Sequence, residues 1–369
     1  MENLDLARWD EVQPAGGFYS SSPWLCHAER TADPAPFYFT AVDGDRLLAT
    51  LPAYPLTRDA PFLFCRADTV IDQISRLSRG RPAGWEDCLM PSLACGPRHS
   101  SHTGVAVARD VGPGMRRELT SALADQAEQI GREQGLASLS FLYTDVTDEV
   151  LRSVLAERGY AALRNATTYT LDIPGTGDFA DYLAALSRSR RRQVRRDLRV
   201  LDEAGVTYRL QPLTEELAVR LVPLEMQLYA RNGTQAAESA LLAVLTSLSR
   251  NIPGHTEVAT AEMGGKLAGF ALIFTHGSEL YARQAGFDYA VKGTVPLYFG
   301  LIFYQLIRLA QRRGLGRIHY SIGAGRAKES RGSTGVEQLA YVKSFDPQVR
   351  REVSSLAELV PPAPSSATA

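Results

Sequence analysis

The period of apolar and polar positions changes several times along the chain. Phe37 to Val42 and Arg46 to Tyr54 alternate across Asp43-Gly44-Asp45, which predicts a β-hairpin. Met115 to Gly135 switches to the three- and four-residue steps of an amphipathic helix, and Leu139 to Tyr143 reads as a buried strand. Helix Asp148 to Arg158 and strand Thr167 to Ile173 complete this first series. Between 205 and 345 the order repeats. Strand Val206 to Leu210 leads to helices Thr214 to Ala230 and Ala236 to Ser249, then to strands Glu257 to Glu262 and Leu267 to Thr275, joined at Met263-Gly264-Gly265-Lys266. The repetition lies in element order, with no repeated residues beneath it.

The stretch Glu279 to Gly332 holds the densest chemistry. Leu280 to Gln284 reads as a strand. Phe299, Ile302, Phe303, Leu306 and Leu309 recur at helical spacing behind Pro296, and Gly314 and Gly316 end that helix after Arg312 and Arg313. Strand Arg317 to Ile322 then breaks into Gly323-Ala324-Gly325. Arg326, Lys328, Glu329, Ser330 and Arg331 among these glycines read as a loop facing an anion.

A length of 369 residues exceeds a single core and predicts two domains. A net charge of -1 excludes a generally basic surface, so an anionic partner must be met by local clusters. One cluster is Arg188, Arg190, Arg191, Arg192, Arg195 and Arg196, which as a helix predicts phosphate contact; pairing with acids elsewhere is the alternative. Cys26, Cys65, Cys88 and Cys95 have no CxxC spacing and no leader before them, so free thiols, no metal and a cytoplasmic location are expected. No apolar run is long enough to span a bilayer, so no stable membrane insertion is expected. His27 reads as a packed or surface residue near Trp24, with a ligand or base as the alternative. Residues 96–102, with Arg98, read as a solvated or anion-binding loop, and Pro361 to Ala369 as a disordered tail.

The pattern Tyr281-x-Arg283-x-x-Gly286, the Tyr- and Phe-rich helix, and Gly323-Ala324-Gly325 followed by Lys328 and Arg331-Gly332 resemble the C-terminal half of GNAT-type acyltransferases of peptidoglycan biosynthesis. That group is similar in architecture to the Fem aminoacyl transferases, and the resemblance is densest over 182–345. It implies an α/β (α+β) chain of two tandem GNAT-like units, each a mixed, mainly antiparallel twisted sheet with flanking helices. The expected divisions are 1–180, an Arg-rich connecting helix at 181–204, 205–350, and a partly disordered segment at 351–369.

The resemblance further implies amide formation from aminoacyl-tRNA onto a small-molecule or peptide amine acceptor, with no bound cofactor. Acyl-CoA enzymes of this fold share a glycine-rich pyrophosphate loop. Asp288 to Pro296 stands in its place with one glycine and a proline, so that cradle is expected to be absent. An acyl-CoA donor and a non-catalytic binding module are the competing readings. Candidates for the general base are Glu225, Asp288, His319 and Tyr320. Of the adjacent His319 and Tyr320 only one can face a cleft, and Asp288 could cap a turn. Tyr229, Tyr281, Arg283, Tyr304, Gly323, Lys328 and Arg331 are the expected substrate contacts. For Lys328 and Arg331 the alternative is pairing with Glu329, Glu337 or Asp346.

Overall fold

A computed structural model describes residues 4–14, 17–60, 63–79, 84–98, 101–174, 177–233 and 236–359. The chain divides into two units, one running to Thr168 and resuming at Val336, the other covering Tyr169–Gly335. The expected boundaries therefore move. The Arg-rich segment belongs to the second unit, and residues 336–350 return to the first because their strand pairs there. The tail expected to be disordered lies outside the described residues.

The first unit begins its sheet with β1 (Phe37–Asp43) and β2 (Arg46–Leu56), antiparallel as expected, with Gly44 at φ 55 in the turn. β3 (Ser92–Cys95) and the short β4 (Ala106–Val107) both pair β2. β5 (Ser138–Asp145) lies parallel to β3, and residues 338–344 lie antiparallel to β5. Helix Pro113–Glu133 packs Leu123 and Ala127 against Leu139 and Phe141. Gly131 is required there, because a Cβ would sit 2.5 Å from Leu139 Cδ1. One turn earlier Glu128 is buried and accepts from Lys343 at 2.8 Å, Arg132 at 3.0 Å and Arg158 at 3.1 Å. β6 (Ala161–Asp172) carries the chain across the boundary of the units.

In the second unit β7 (Thr207–Pro212), β8 (Thr256–Met263), β9 (Lys266–His276) and β10 (Glu279–Phe287) are antiparallel neighbours, and β11 (Arg317–Ile322) is parallel to β10. The Gly264-Gly265 turn has both residues at positive φ, which only glycine adopts freely. Helices Glu215–Arg231 and Glu238–Asn251 follow β7. The helix expected from Pro296 opens there, with Leu297 and Tyr298 α-helical, continues as a π-helical run, Phe299–Gln305, and becomes regular over Leu306–Arg313 before Gly314 at φ 65. Its aromatic and aliphatic face, Leu301, Phe303 and Ile307, closes the core over Leu280 and Ile318. The Arg-rich segment is two helices, Phe179–Ala185 with a capping box at Asp178 and Asp181, and Arg188–Glu203. β12 (Thr334–Ser344) leads back to the first unit.

The two units share a backbone event. In each, two strands pair in parallel over three or four residues, and the second strand takes a left-handed residue two positions past the last pair. In the first unit Cys95 pairs Phe141 and Tyr143 has φ 59; in the second Tyr281 pairs His319 and Ser321 has φ 58. The four cysteines are free thiols, and no described helix is long and apolar enough to cross a membrane. His27 is buried beside Trp24, with rings 5.2 Å apart. Arg98 is buried rather than solvated and donates to the Thr31 carbonyl, while His99 and Ser100 lie outside the described residues.

Candidate functional site

β10 and β11 pair only from Glu279 to Tyr281 and Arg317 to His319, yet β10 runs on to Phe287 and β11 to Ile322. Beyond Tyr281 the parallel strands part. Arg283 marks that point, since β10 skips register against β9 between Ala282 and Gln284, leaving Arg283 as the extra residue of a bulge.

Past the bulge, Gln284 and Gly286 face helix Glu215–Arg231. Gly286 has no room for a side chain, because a Cβ would lie 2.5 Å from the Glu225 main-chain nitrogen. This close approach brings Glu225, 2% exposed, against the strand, where Gln284 Nε2 donates to its Oε1 at 2.9 Å. Its Oε2 is buried and makes no hydrogen bond among the described residues. Burial pushes the carboxyl up to about 7, opposed by the Gln284 bond and the Arg283 charge. Tyr229, one turn along, is raised by burial and by the Glu225 charge. Gln227 on the same helix accepts from the Tyr289 N–H at 3.1 Å.

At the last paired residues the Tyr281 and His319 rings stack, with centroids 4.4 Å apart and planes 4° apart. Glu279 Oε2 accepts from the Tyr281 hydroxyl at 2.9 Å and lies 2.6 Å from His319 Nε2. Burial opposes ionisation of Glu279, but the His319 bond and charge outweigh it and hold the carboxyl below its usual range. The expected residues thus form two groups along β10: Glu225 and Tyr229 act on Arg283 and Gln284, and Tyr281 stacks on His319.

The other expected residues are placed elsewhere. Tyr320, next to His319, points the opposite way onto Phe303, 4.6 Å between centroids, and burial raises its hydroxyl well above the usual range. Asp288 accepts from the N–H groups of Ala290 and Val291 and caps the short helix Tyr289–Lys292. Tyr304, Lys328 and Arg331 are corrections, because all three are buried among protein partners. Arg331 pairs with Asp197 at 2.5 Å and donates to the Tyr304 hydroxyl at 2.9 Å, and that hydroxyl donates to Asp197 at 2.5 Å. Neither Glu329, Glu337 nor Asp346 is the partner. Lys328 Nζ donates to the carbonyls of Tyr320 at 2.6 Å, Ser321 at 3.0 Å and Ile322 at 2.8 Å. Gly323, at φ 76, turns the chain out of β11.

The arginines divide as well. Arg191 Nε donates to the Leu183 carbonyl and its Nη2 to those of Ala184 and Leu186, which ends helix Phe179–Ala185. Arg188, Arg190, Arg192, Arg195 and Arg196 are exposed or half-exposed, and Arg196 reaches the Gln193 side chain at 3.4 Å. Sequence reasoning missed Glu279, Gln284 and Asp197. An acid opening an apolar strand and an acid inside a run of arginines were the available signals.

A family described as peptidoglycan biosynthesis/recognition, the FemAB-like family, matches residues 93–360. No curated protein matches the chain. Among solved structures, FemX is similar with a TM-score of 0.61 at 10% identity, over 95% of this chain and 99% of that one. L-PGS from Bacillus licheniformis gives a TM-score of 0.53 at 11% identity, over 87% and 88%. A tandem GNAT protein from the clavulanic acid biosynthesis pathway gives 0.52 at 14%, over 93% and 95%. These likenesses give the fold: two GNAT-like units in tandem.

Proposed function

The chain belongs to the FemAB-like family and is an acyltransferase, and on that premise we propose that it moves an aminoacyl group from aminoacyl-tRNA to the amine of a small molecule or peptidoglycan-type precursor. The observation that carries this reading is Glu225: a buried carboxyl near neutral pKa with one oxygen unbonded, beside strands that part. Such a group holds or takes a proton close to physiological pH. The amine nitrogen attacks the ester carbonyl, a C–N bond forms, and the C–O bond to the ribose breaks. The amine proton passes to Glu225, and a proton goes to the departing ribose oxygen. His319, fixed by Glu279, is the second titratable group at the parting point.

The loop after β10 supports a donor other than CoA. Lys292 Nζ donates to the carbonyls of Gly293 at 3.2 Å and Val295 at 3.1 Å, so a side-chain cation fills the turn where a pyrophosphate cradle would present N–H groups. The exposed arginines of helix Arg188–Glu203 suit a polyanion.

The test is incubation of the protein with an aminoacyl-tRNA pool and amine acceptors, following deacylated tRNA and amide product by mass spectrometry. Product formed only with charged tRNA supports the reading. Release of free CoA from acyl-CoA with matching amide, and none from charged tRNA, overturns the donor assignment.

A further inference from the structure

Away from Glu225 and His319, the second unit contains a cavity of about 460 Å³ between helix Arg188–Glu203, β7 and the central helical run. Leu198, Leu201 and Val206 form an apolar wall, and Arg199, Arg308, Tyr208, Asp202 and Gln305 are among its polar residues. Gly300 keeps the floor low, since a Cβ there would strike the Tyr208 hydroxyl and lie 2.8 Å from Leu201 Cδ1.

The polar groups are poorly served by the protein itself. The Tyr208 hydroxyl is buried and makes no hydrogen bond among the described residues. Burial pushes it up to about 12, so it remains a neutral donor. Arg308 is half-buried with its guanidinium 4.4 Å over the Phe179 ring, and burial lowers its pKa. The charges acting on it are those of Tyr208 and Arg312; no carboxylate is among them. Arg199 has an exposed pairing with Glu203 at 3.7 Å, which holds it loosely. Two guanidiniums and a phenol offer donors for several oxygens of one phosphate, a better match than a single carboxylate. Asp202 also lines the cavity and is exposed. The volume falls within the range of about 300–1,000 Å³ typical of small-molecule sites.

We propose that this cavity is a second binding site, for a phosphate monoester of about mononucleotide size whose planar or apolar body lies on Leu198, Leu201 and Val206 while Arg199, Arg308 and Tyr208 take the phosphate. The site is independent of the transfer reaction proposed above.

Calorimetry of the full chain with AMP tests it, with adenosine and inorganic phosphate as separate arms. AMP binds with one-to-one stoichiometry, and adenosine and inorganic phosphate each bind at least about tenfold more weakly, since each reaches only one part of the cavity. Arg308→Gln weakens AMP about tenfold or more, because it removes a charge-assisted hydrogen bond. Tyr208→Phe removes only a hydroxyl without a protein partner, so it weakens AMP while leaving thermal stability unchanged or higher. Arg190→Gln with Arg195→Gln, on the exposed face of the same helix, leaves AMP affinity unchanged. The proposal fails if AMP shows no saturable binding in the millimolar range, or if adenosine equals AMP. It also fails if a correctly folded Tyr208→Phe protein binds AMP as the parent does, or if the Arg190/Arg195 variant no longer binds it.

Discussion

Replacing Glu225 by Gln separates two consequences of burying an acid at the parting strands. In the folded chain the carboxyl is raised from 4.5 to about 7, so between those values the folded state binds more protons than the unfolded state. Stability must then fall as pH rises through that window, and the penalty is absent below about 4.5, where both states are protonated. At roughly 1.4 kcal/mol per pH unit, the penalty at pH 8 is on the order of 3 kcal/mol, with under about 1 kcal/mol already present at pH 5.

The Gln variant cannot ionise, so this component of the pH dependence disappears. It keeps an acceptor for Gln284 but buries an amide N–H₂ where Oε2 makes no hydrogen bond, at a pH-independent cost of about 1–3 kcal/mol. A fixed cost cancels from a slope. Urea unfolding from pH 5 to pH 8 should therefore show the parent losing about 2 kcal/mol more than the variant. The same variant should lose kcat in aminoacyl transfer by about a hundredfold or more, the range expected when a general base is removed. Parallel stability curves for parent and variant would refute the raised pKa. A changed slope with undiminished turnover would leave Glu225 a buried acid with no part in the reaction.

Changing Arg190, Arg192, Arg195 and Arg196 to Gln should leave the melting temperature nearly unchanged, since these side chains face solvent, while weakening charged-tRNA binding. The slope of log affinity against log salt should fall by about 0.9 for each phosphate the variant no longer neutralises, and an unchanged slope removes this face from the binding surface. Asp197→Ala leaves Arg331 buried without its counter-charge and should cost about 3–5 kcal/mol in chemical unfolding; a cost below about 1 kcal/mol would show that the pair is not what fixes the helix. Ser321→Gly, which relieves a left-handed serine, should stabilise the parent by about 1 kcal/mol and give no gain in a Lys328→Met background, where the three carbonyls are no longer drawn together. Equal effects in both backgrounds would show that Lys328 does not hold the turn.

Most element positions were legible because they depend on local period and turn chemistry. The hairpins at Asp43-Gly44-Asp45 and Gly264-Gly265 and strand Arg317–Ile322 follow from neighbouring residues alone. The failures involve partners distant in sequence. Lys328 and Arg331 stand among glycines, a context that reads as an exposed loop. Arg331 is paired by Asp197, 134 residues earlier, and Lys328 by carbonyls made convergent by a positive φ that sequence does not display. Glu279 gains meaning only when β11 brings His319 beside it. Gln284 reaches Glu225 because the bulge at Arg283 resets the alternation of β10, so its orientation cannot be counted from the strand's start. The π-helical run, Phe299–Gln305, was hidden because its apolar side chains also satisfy an α-helical period.

The transfer chemistry proposed for the second unit fits what occupies the parting strands in each unit. The first unit has the same event, a parallel pair followed by a left-handed residue, but that residue is Tyr143, whose hydroxyl donates to the Phe64 carbonyl at 2.9 Å. Arg98 and the Trp24 indole close the other side, the indole donating to the Arg98 carbonyl at 3.0 Å. What remains is a cavity of about 20 Å³, enough for a single water. In the second unit the corresponding residue is Ser321, a much smaller side chain, whose carbonyl accepts from Lys328 Nζ at 3.0 Å. The ammonium accepts a desolvation that pulls it down to about 7, while the three carbonyls oppose that pull by favouring its charged form. The same backbone geometry thus carries a packed tyrosine in the first unit and a serine held by a lysine in the second.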